Sequence, residues 1–207
     1  MRKQRSQRVK DITQAAMEVL SERGFYGMTI QEVADRTGLS QAGILKYVKN
    51  KNGLLSLILE EYDEHGNGNM GKQYLDDKLS LSKEELERSP ALMPEWYRII
   101  AQESLRNPML TQLYIVLRAE ALDPHHPAHD YFAQRGERLR EEVGRFPWKL
   151  PPEFSTPQSI ALLSMTVGSA MEGLQSRWLG EPNIDLLDTW AQYENILFPL
   201  PHWQGYR

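Results

Sequence analysis

Seven residues between positions 29 and 51 have the types and spacing to meet a nucleic acid: Thr29, Gln41, Ala42, Gly43, Lys46, Tyr47 and Lys51. A glutamine amide can donate to and accept from one adenine edge at once, so Gln41 is the candidate base reader. Thr29, Lys46, Tyr47 and Lys51 carry donors suited to phosphate oxygens, contacts that hold a protein on a duplex without reading its sequence. Ala42 and Gly43 are small and let backbone come close to a groove. None of this chemistry needs a cofactor, and none is expected.

Other chemistries find less to stand on. There is no cysteine, which excludes disulfides and thiolate metal sites. No Gly-x-Ser-x-Gly elbow, phosphate-binding glycine loop or His-Glu-x-x-His is present, so an enzyme reading lacks a nucleophile or a metal, and the chain is read as a non-enzyme. His125, His126 and His129, with Asp123 and Asp130 beside them, have metal-ligand types. Pro124 and Pro127 mark the same run as an ordinary entry from loop to helix, and no metal is expected. Glu103, Glu120 and Glu172 lie in apolar helical surroundings, either as groups for an effector or as acids on a polar helix face.

The elements that must position the seven residues are legible. Thr29 and Glu32 form a capping box, and Met28 and Val33 sit where a hydrophobic staple would. Ile30, Val33 and Ala34 give this helix an apolar face, and Gly38 suits the left-handed position that closes it. Ser40 caps a second short helix with Ile44 and Val48 on its inner side. Two short helices joined by a turn containing glycine make a helix-turn-helix, in which the second helix enters the DNA major groove. Before it, Val9, Ile12, Ala16, Val19 and Leu20 predict a helix over 6–23, ended by Gly24. Phe25 and Tyr26 are expected in the core of this small bundle. Residues 1–8 read as a basic, disordered arm.

Net charge is −4, but residues 1–51 carry ten Lys/Arg against five Asp/Glu, leaving +5 there and −9 on the rest. A basic segment that carries the motif, on an acidic remainder, suggests one end that meets phosphate. The longest uncharged apolar run, 161–171, is 11 residues and too short to span a bilayer. No signal-peptide segment follows the basic start, and a cytoplasmic protein without membrane contact is expected.

Beyond the motif, Asn50 caps a helix running to about Glu64. HGNGNMG (65–71) breaks the pattern. Residues 72–93 look polar and irregular, apart from a short helix that Ser82-x-x-Glu85 could cap. Helical spacing then returns over 96–107, 108–122, 127–146, 157–179 and 184–197, and no alternating strand pattern of useful length appears. The fold class read here is all-α. It comprises a helix-turn-helix DNA-binding domain over 1–51 and a helical effector-binding and dimerisation domain over 52–207.

The order long helix, Gly-Phe-Tyr-Gly, Thr-capped helix, Thr-Gly-Leu-Ser, short helix and Asn-Lys entry resembles the N-terminal domain of the TetR family of transcriptional regulators. The matching residues are Gly24, Phe25, Gly27, Thr29, Ile30, Val33, Ala34, Gly38, Leu39, Ser40, Ile44, Tyr47, Lys51 and Leu54. The chain departs from the family pattern at three places. Ala42-Gly43 follows the serine cap, Leu45 stands where a phosphate-touching tyrosine is usual, and Val48 stands where phenylalanine is usual.

The resemblance implies a repressor that binds a near-palindromic operator as a homodimer and is released by a small-molecule effector. It also implies that the last two helices pair with those of a second subunit. The dimer candidates are Leu163, Val167, Gly168, Met171, Leu174, Leu187, Trp190 and Ala191. The effector-pocket candidates are Trp96, Ile100, Glu103, Tyr114, Leu117, Phe132, Met165 and Met171, since pockets between helices are lined by aromatic and apolar groups with a few polar anchors. The rival expectation is a helical ligand-binding or protein-interaction protein whose helix-turn-helix no longer binds DNA.

Overall fold

The computed structural model describes residues 2–65 and 69–207. Eleven helices are present among the described residues: α1 Arg2–Gly27, α2 Ile30–Thr37, α3 Gln41–Leu45, α4 Lys51–His65, α5 Asn69–Ser80, α6 Lys83–Arg88, α7 Met93–Arg106, α8 Pro108–Glu120, α9 His129–Arg145, α10 Pro157–Gly180 and α11 Leu186–Leu197. The sole β pairing among them is an isolated bridge between Ala91 and Trp148. No helix is long and apolar enough to cross a membrane among the described residues.

The chain divides into two compact units. Residues 1–66 and 109–132 form the first, and residues 67–108 and 133–207 the second. The first unit therefore holds α1–α4 together with α8 and the start of α9. Its core gathers Ile12, Ala16, Val19 and Leu20 of α1, Val33 and Ala34 of α2, Ile44 of α3, Leu54 and Ile58 of α4, and Leu113 and Leu117 of α8. These are the apolar positions that the helical spacing picked out, and burying them is the main force holding the unit together.

In the second unit α7 packs against α5, α10 and α11. Met93, Tyr97, Ala101, Val167, Met171, Leu174 and Trp190 form its centre. Buried polar groups there are paired. The Tyr97 hydroxyl donates to the Ser164 carbonyl at 2.6 Å, and the Gln175 amide donates to Ser104 Oγ at 2.7 Å. Glu194, on α11, takes the Arg98 Nε–H at 2.7 Å and the Trp190 indole N–H at 3.1 Å, so its buried carboxylate has the partners a charge needs away from water. After α11 the chain turns back and buries Trp203 against Phe198 and Phe154.

Three expectations change. The helix expected from residue 6 already runs at Arg2, so residues 2–8 of the segment read as a disordered arm belong to α1, while residue 1 lies outside the described residues; a high density of Lys, Arg and Gln is compatible with helix, because these residues are good helix formers. The stretch 72–93 is mostly helical, as α5 and α6. Ser82 does cap α6, its hydroxyl accepting from the Glu85 N–H while the Glu85 carboxylate accepts from the Ser82 N–H. Tyr26 is not core: it is 59% exposed, whereas Phe25 is buried. Part of the HGNGNMG breaker, residues 66–68, lies outside the described residues.

Candidate nucleic-acid interface

The site is built on caps. Thr29 Oγ1 accepts from the Glu32 N–H at 3.2 Å, and the Glu32 carboxylate accepts from the Thr29 N–H at 3.2 Å. This reciprocal box fixes the start of α2. Arg23 pairs with Glu32 at 2.8 Å, and Arg36 pairs with Glu22 at 2.5 Å, so α2 is tied to α1 along two edges. Gly38 closes α2 at φ 67°, a backbone conformation that favours glycine. Ser40 Oγ then accepts from the Gly43 N–H at 3.1 Å and starts α3. Ile44 and Val48 anchor α3 from below.

With Ile44 and Val48 inside, the opposite side of α3 must face out. Gln41, Ala42 and Lys46 are exposed there, with Gly43 and Tyr47 half-buried. Gln41, Ala42 and Lys46 are thus the open candidates, Tyr47 packs partly against the unit's core, and Thr29 is exposed at the start of α2. A methyl group built on Gly43 would lie 3.4 Å from Ser40 Oγ and 3.5 Å from Leu39 Cβ, ordinary contact distances. Glycine is therefore not demanded there by packing. Leu45 is an exposed apolar side chain on this short helix.

Lys51 is differently placed. Its ammonium donates to the Tyr26 carbonyl at 3.1 Å and stands 4.6 Å over the centre of the Phe25 ring. Burial lowers its pKa, with the nearby Glu120 carboxylate opposing that shift. The residue read as a phosphate donor is already engaged within its own unit. Its sequence position at the start of α4, where Asn50 Oδ1 accepts from the Gly53 N–H at 3.0 Å, gave no sign of this.

The remaining candidates fall as follows. Of the effector-pocket set, Tyr114, Leu117 and Phe132 belong to the first unit, with Tyr114 stacked on Tyr62 at 5.6 Å between ring centres. Trp96, Ile100, Glu103, Met165 and Met171 belong to the second unit. There Trp96 donates to the Gly71 carbonyl, and the buried Glu103 carboxylate accepts from the Met70 N–H. Met165 is 49% exposed, so it lines the outside of α10.

Of the dimer set, Val167, Met171, Leu174 and Trp190 are spent on the second unit's own core and have almost no surface to offer a partner. Leu187 and Ala191 are exposed, and Leu163 and Gly168 are half-buried. The large apolar residues of α10 and α11 that do face out are Leu162, Met165, Leu187 and Ile196, of which the dimer set held only Leu187. A helix that is apolar on two sides does not announce by its spacing which side its own protomer takes.

The histidines are not gathered around a common point. The His125 N–H donates to the Asp123 carboxylate, His129 Nδ1 meets the Ala121 carbonyl at 2.9 Å, and His126 is buried. Among the described residues no group of three or more His, Asp or Glu could hold a metal ion.

A capped helix-turn-helix with its outer face open, carried by an otherwise helical chain, places this protein among the helix-turn-helix DNA-binding-domain proteins. Residues 12–58 match the family model of the bacterial regulatory proteins of the tetR family. Over 56 residues the chain is 34% identical to the uncharacterized HTH-type transcriptional regulator YvkB of Bacillus subtilis (strain 168); that stretch is 27% of this chain and 30% of the relative.

Solved structures resemble nearly the whole chain. One, from Rhodococcus sp. and described as a TetR-family transcriptional regulator, is 19% identical with a TM-score of 0.61, covering 93% of this chain and 97% of that one. The fatty acid degradation regulator FadR of Bacillus halodurans is 17% identical with a TM-score of 0.56, covering 94% and 96%. At these identities the structural likeness is one of fold. The tetR-family match is to the segment 12–58, which carries the helix-turn-helix.

Proposed function

We propose that this protein is a DNA-binding transcriptional regulator, a repressor that holds a near-palindromic operator as a homodimer and lets go when a small molecule binds its body. The observation that carries the reading is the open face of α3. Gln41, Ala42 and Lys46 project from a helix whose other side is pinned by Ile44 and Val48. In this reading Gln41 reads a base edge, and Lys46, Tyr47 and Thr29 hold phosphates. A two-fold dimer would set its two copies of α3 about 34–36 Å apart, one turn of duplex.

The outward apolar residues of α10 and α11 supply a self-complementary surface for the second copy. Ser169 and Gly173, exposed on α10 between them, would let two helix backbones approach closely. An effector entering between α7 and α10 would meet aromatic and apolar side chains and the polar pairs Tyr97–Ser164 and Gln175–Ser104, which are bonded to each other.

Selection of binding duplexes from a random pool, followed by the same selection with Gln41→Ala, tests the assignment. The substitution should cost about 1–3 kcal/mol and relax preference at one base-pair position in each half-site. Unchanged preference at every position would contradict it. The exposed Leu45 favours a second reading, a ligand-binding protein whose head has lost DNA. In that case the selection with the unaltered chain would enrich nothing.

A further inference from the structure

The Gly24–Thr29 corner, where α1 gives way to α2, is held from a part of the chain nearly a hundred residues away. The Glu120 carboxylate, at the end of α8, accepts from the Phe25 N–H at 2.6 Å and from the Tyr26 N–H at 3.4 Å. Gly24 makes room for it. Its backbone turns to φ 70°, and a Cβ there would lie 2.3 Å from Glu120 Oε1. Glycine at 24 thus serves two needs, a left-handed turn and the close approach of a carboxylate.

The same short stretch makes two more ties to the corner. The Tyr26 hydroxyl donates to Asp123 at 3.3 Å. The His126 ring packs edge-on against Phe25 at 5.0 Å and Tyr26 at 5.3 Å. Lys51 completes the arrangement from α4, bonded to the Tyr26 carbonyl and attracted by Glu120.

We propose that Glu120 is a positioning residue of the DNA head: its carboxylate fixes the corner from which α2 and α3 project, so that the end of α8 sets where the recognition helix stands. The proposal rests on the reading of α3 as a DNA-binding helix. Only Gly27 and Met28 lie between the tied residues and the Thr29 cap, so a rotation at Phe25 or Tyr26 passes directly into α2. Glu120 reaches Lys51 only through the attraction of opposite charges, and it acts through the backbone it holds. A charged acceptor is the strong kind of hydrogen-bond partner, and displacing the end of α8 by an ångström would break a 2.6 Å bond.

The test compares the full-length protein with Glu120→Ala and Glu120→Gln. Amide hydrogen exchange is followed at Phe25, Tyr26, Val33 and Ala34, with Val167 as a distant reference. Affinity for a duplex selected by the unaltered protein is measured over a range of salt and expressed per folded molecule. Glu120→Ala should speed exchange at Phe25 and Tyr26 by about tenfold or more and at Val33 and Ala34 to a lesser degree, leaving Val167 alone.

Affinity should fall about tenfold with the salt slope unchanged, because no phosphate contact is removed. Glu120→Gln, which keeps one acceptor oxygen, should fall between, and it carries the comparison if the alanine variant does not fold. Retained protection at Phe25 and Tyr26, or an affinity per folded molecule equal to that of the unaltered protein, overturns the assignment. If the unaltered protein selects no duplex, the DNA reading fails instead. Exchange at Val33 and Ala34 then decides alone whether Glu120 positions α2.

Discussion

The Lys51 ammonium donates to the Tyr26 carbonyl at 3.1 Å while standing over the Phe25 ring. A lysine so placed joins the start of α4 to the end of α1, across 25 residues of sequence. It stands apart from Lys46, which is exposed on the outer side of the recognition helix. The two lysines look alike in sequence and should behave differently.

Lys51→Ala is expected to lower the stability of the protein by about 1–2 kcal/mol, from loss of a hydrogen bond and a cation–π contact. The salt dependence of DNA affinity should hardly change. Lys46→Ala should leave stability within about 0.5 kcal/mol and reduce the salt slope by about one. Denaturant unfolding and affinity measured at several salt concentrations separate the two. A reduced slope for Lys51→Ala at unchanged stability would return it to the phosphate contacts.

Gly43→Ala should stabilise the protein by roughly 0.5–1 kcal/mol, because alanine is the better helix former and its methyl group meets only ordinary contacts. If the bare backbone of α3 approaches the groove, the same change weakens DNA binding. Higher thermal stability together with lower affinity is the expected pair of results. Higher affinity would show that Gly43 makes no close approach.

The outer and inner faces of α10 make opposite predictions. Leu162 is 58% exposed, and Leu162→Glu combined with Met165→Glu should leave the fold intact and turn a dimer into a monomer by sedimentation. Met171→Ala, on the inner face, should destabilise the protein by about 2–5 kcal/mol through the cavity it leaves. A Leu162→Glu, Met165→Glu protein that stays dimeric would move the interface elsewhere.

His126 gives the first unit a pH dependence. Its ring is 2% exposed, Nδ1 accepts from the Ala128 N–H at 3.1 Å, and Nε2 has no hydrogen-bond partner, 3.9 Å from Glu120. Burial holds its pKa below the ordinary histidine value, Lys51 pushes it the same way, and Glu120 and Asp123 oppose. Protonation would also cost the bond from Ala128, since an imidazolium has no acceptor. The unfolded chain therefore binds the proton first as pH falls. Stability from this group is present in full above about pH 6.5 and declines as pH falls from there towards the lowered folded value. Unfolding free energies at pH 7.5 and 5.5 should differ by less in His126→Phe than in the unaltered protein. An equal difference would contradict the assignment.

Much of the head was legible because its signals are local. Thr29 with Glu32, Gly38 and Ser40 are caps whose geometry is written within three or four residues, and the structure forms each of them. The long-range ties were not. Nothing near Glu120 says that its carboxylate will meet the amides of Phe25 and Tyr26, and nothing at Gly24 distinguishes a helix stop from a space kept for that carboxylate. Tyr26 was misplaced because an aromatic between two helices suits the core, while its hydroxyl draws it to Asp123 at the surface. On α10, apolar spacing marked Val167 and Met171 and passed over Leu162, and only tertiary packing shows that the first two face in while Leu162 and Met165 face out.

The central claim is that the open face of α3 binds a specific duplex. Its most direct test is fluorescence anisotropy of the unaltered protein against a duplex enriched from a random pool, titrated at several salt concentrations beside a scrambled duplex of equal length. The account predicts two chains per near-palindromic duplex, affinity at least about a thousandfold above the scrambled control, and log affinity falling linearly with log salt. Equal binding to both duplexes, or no duplex enriched at all, would contradict it.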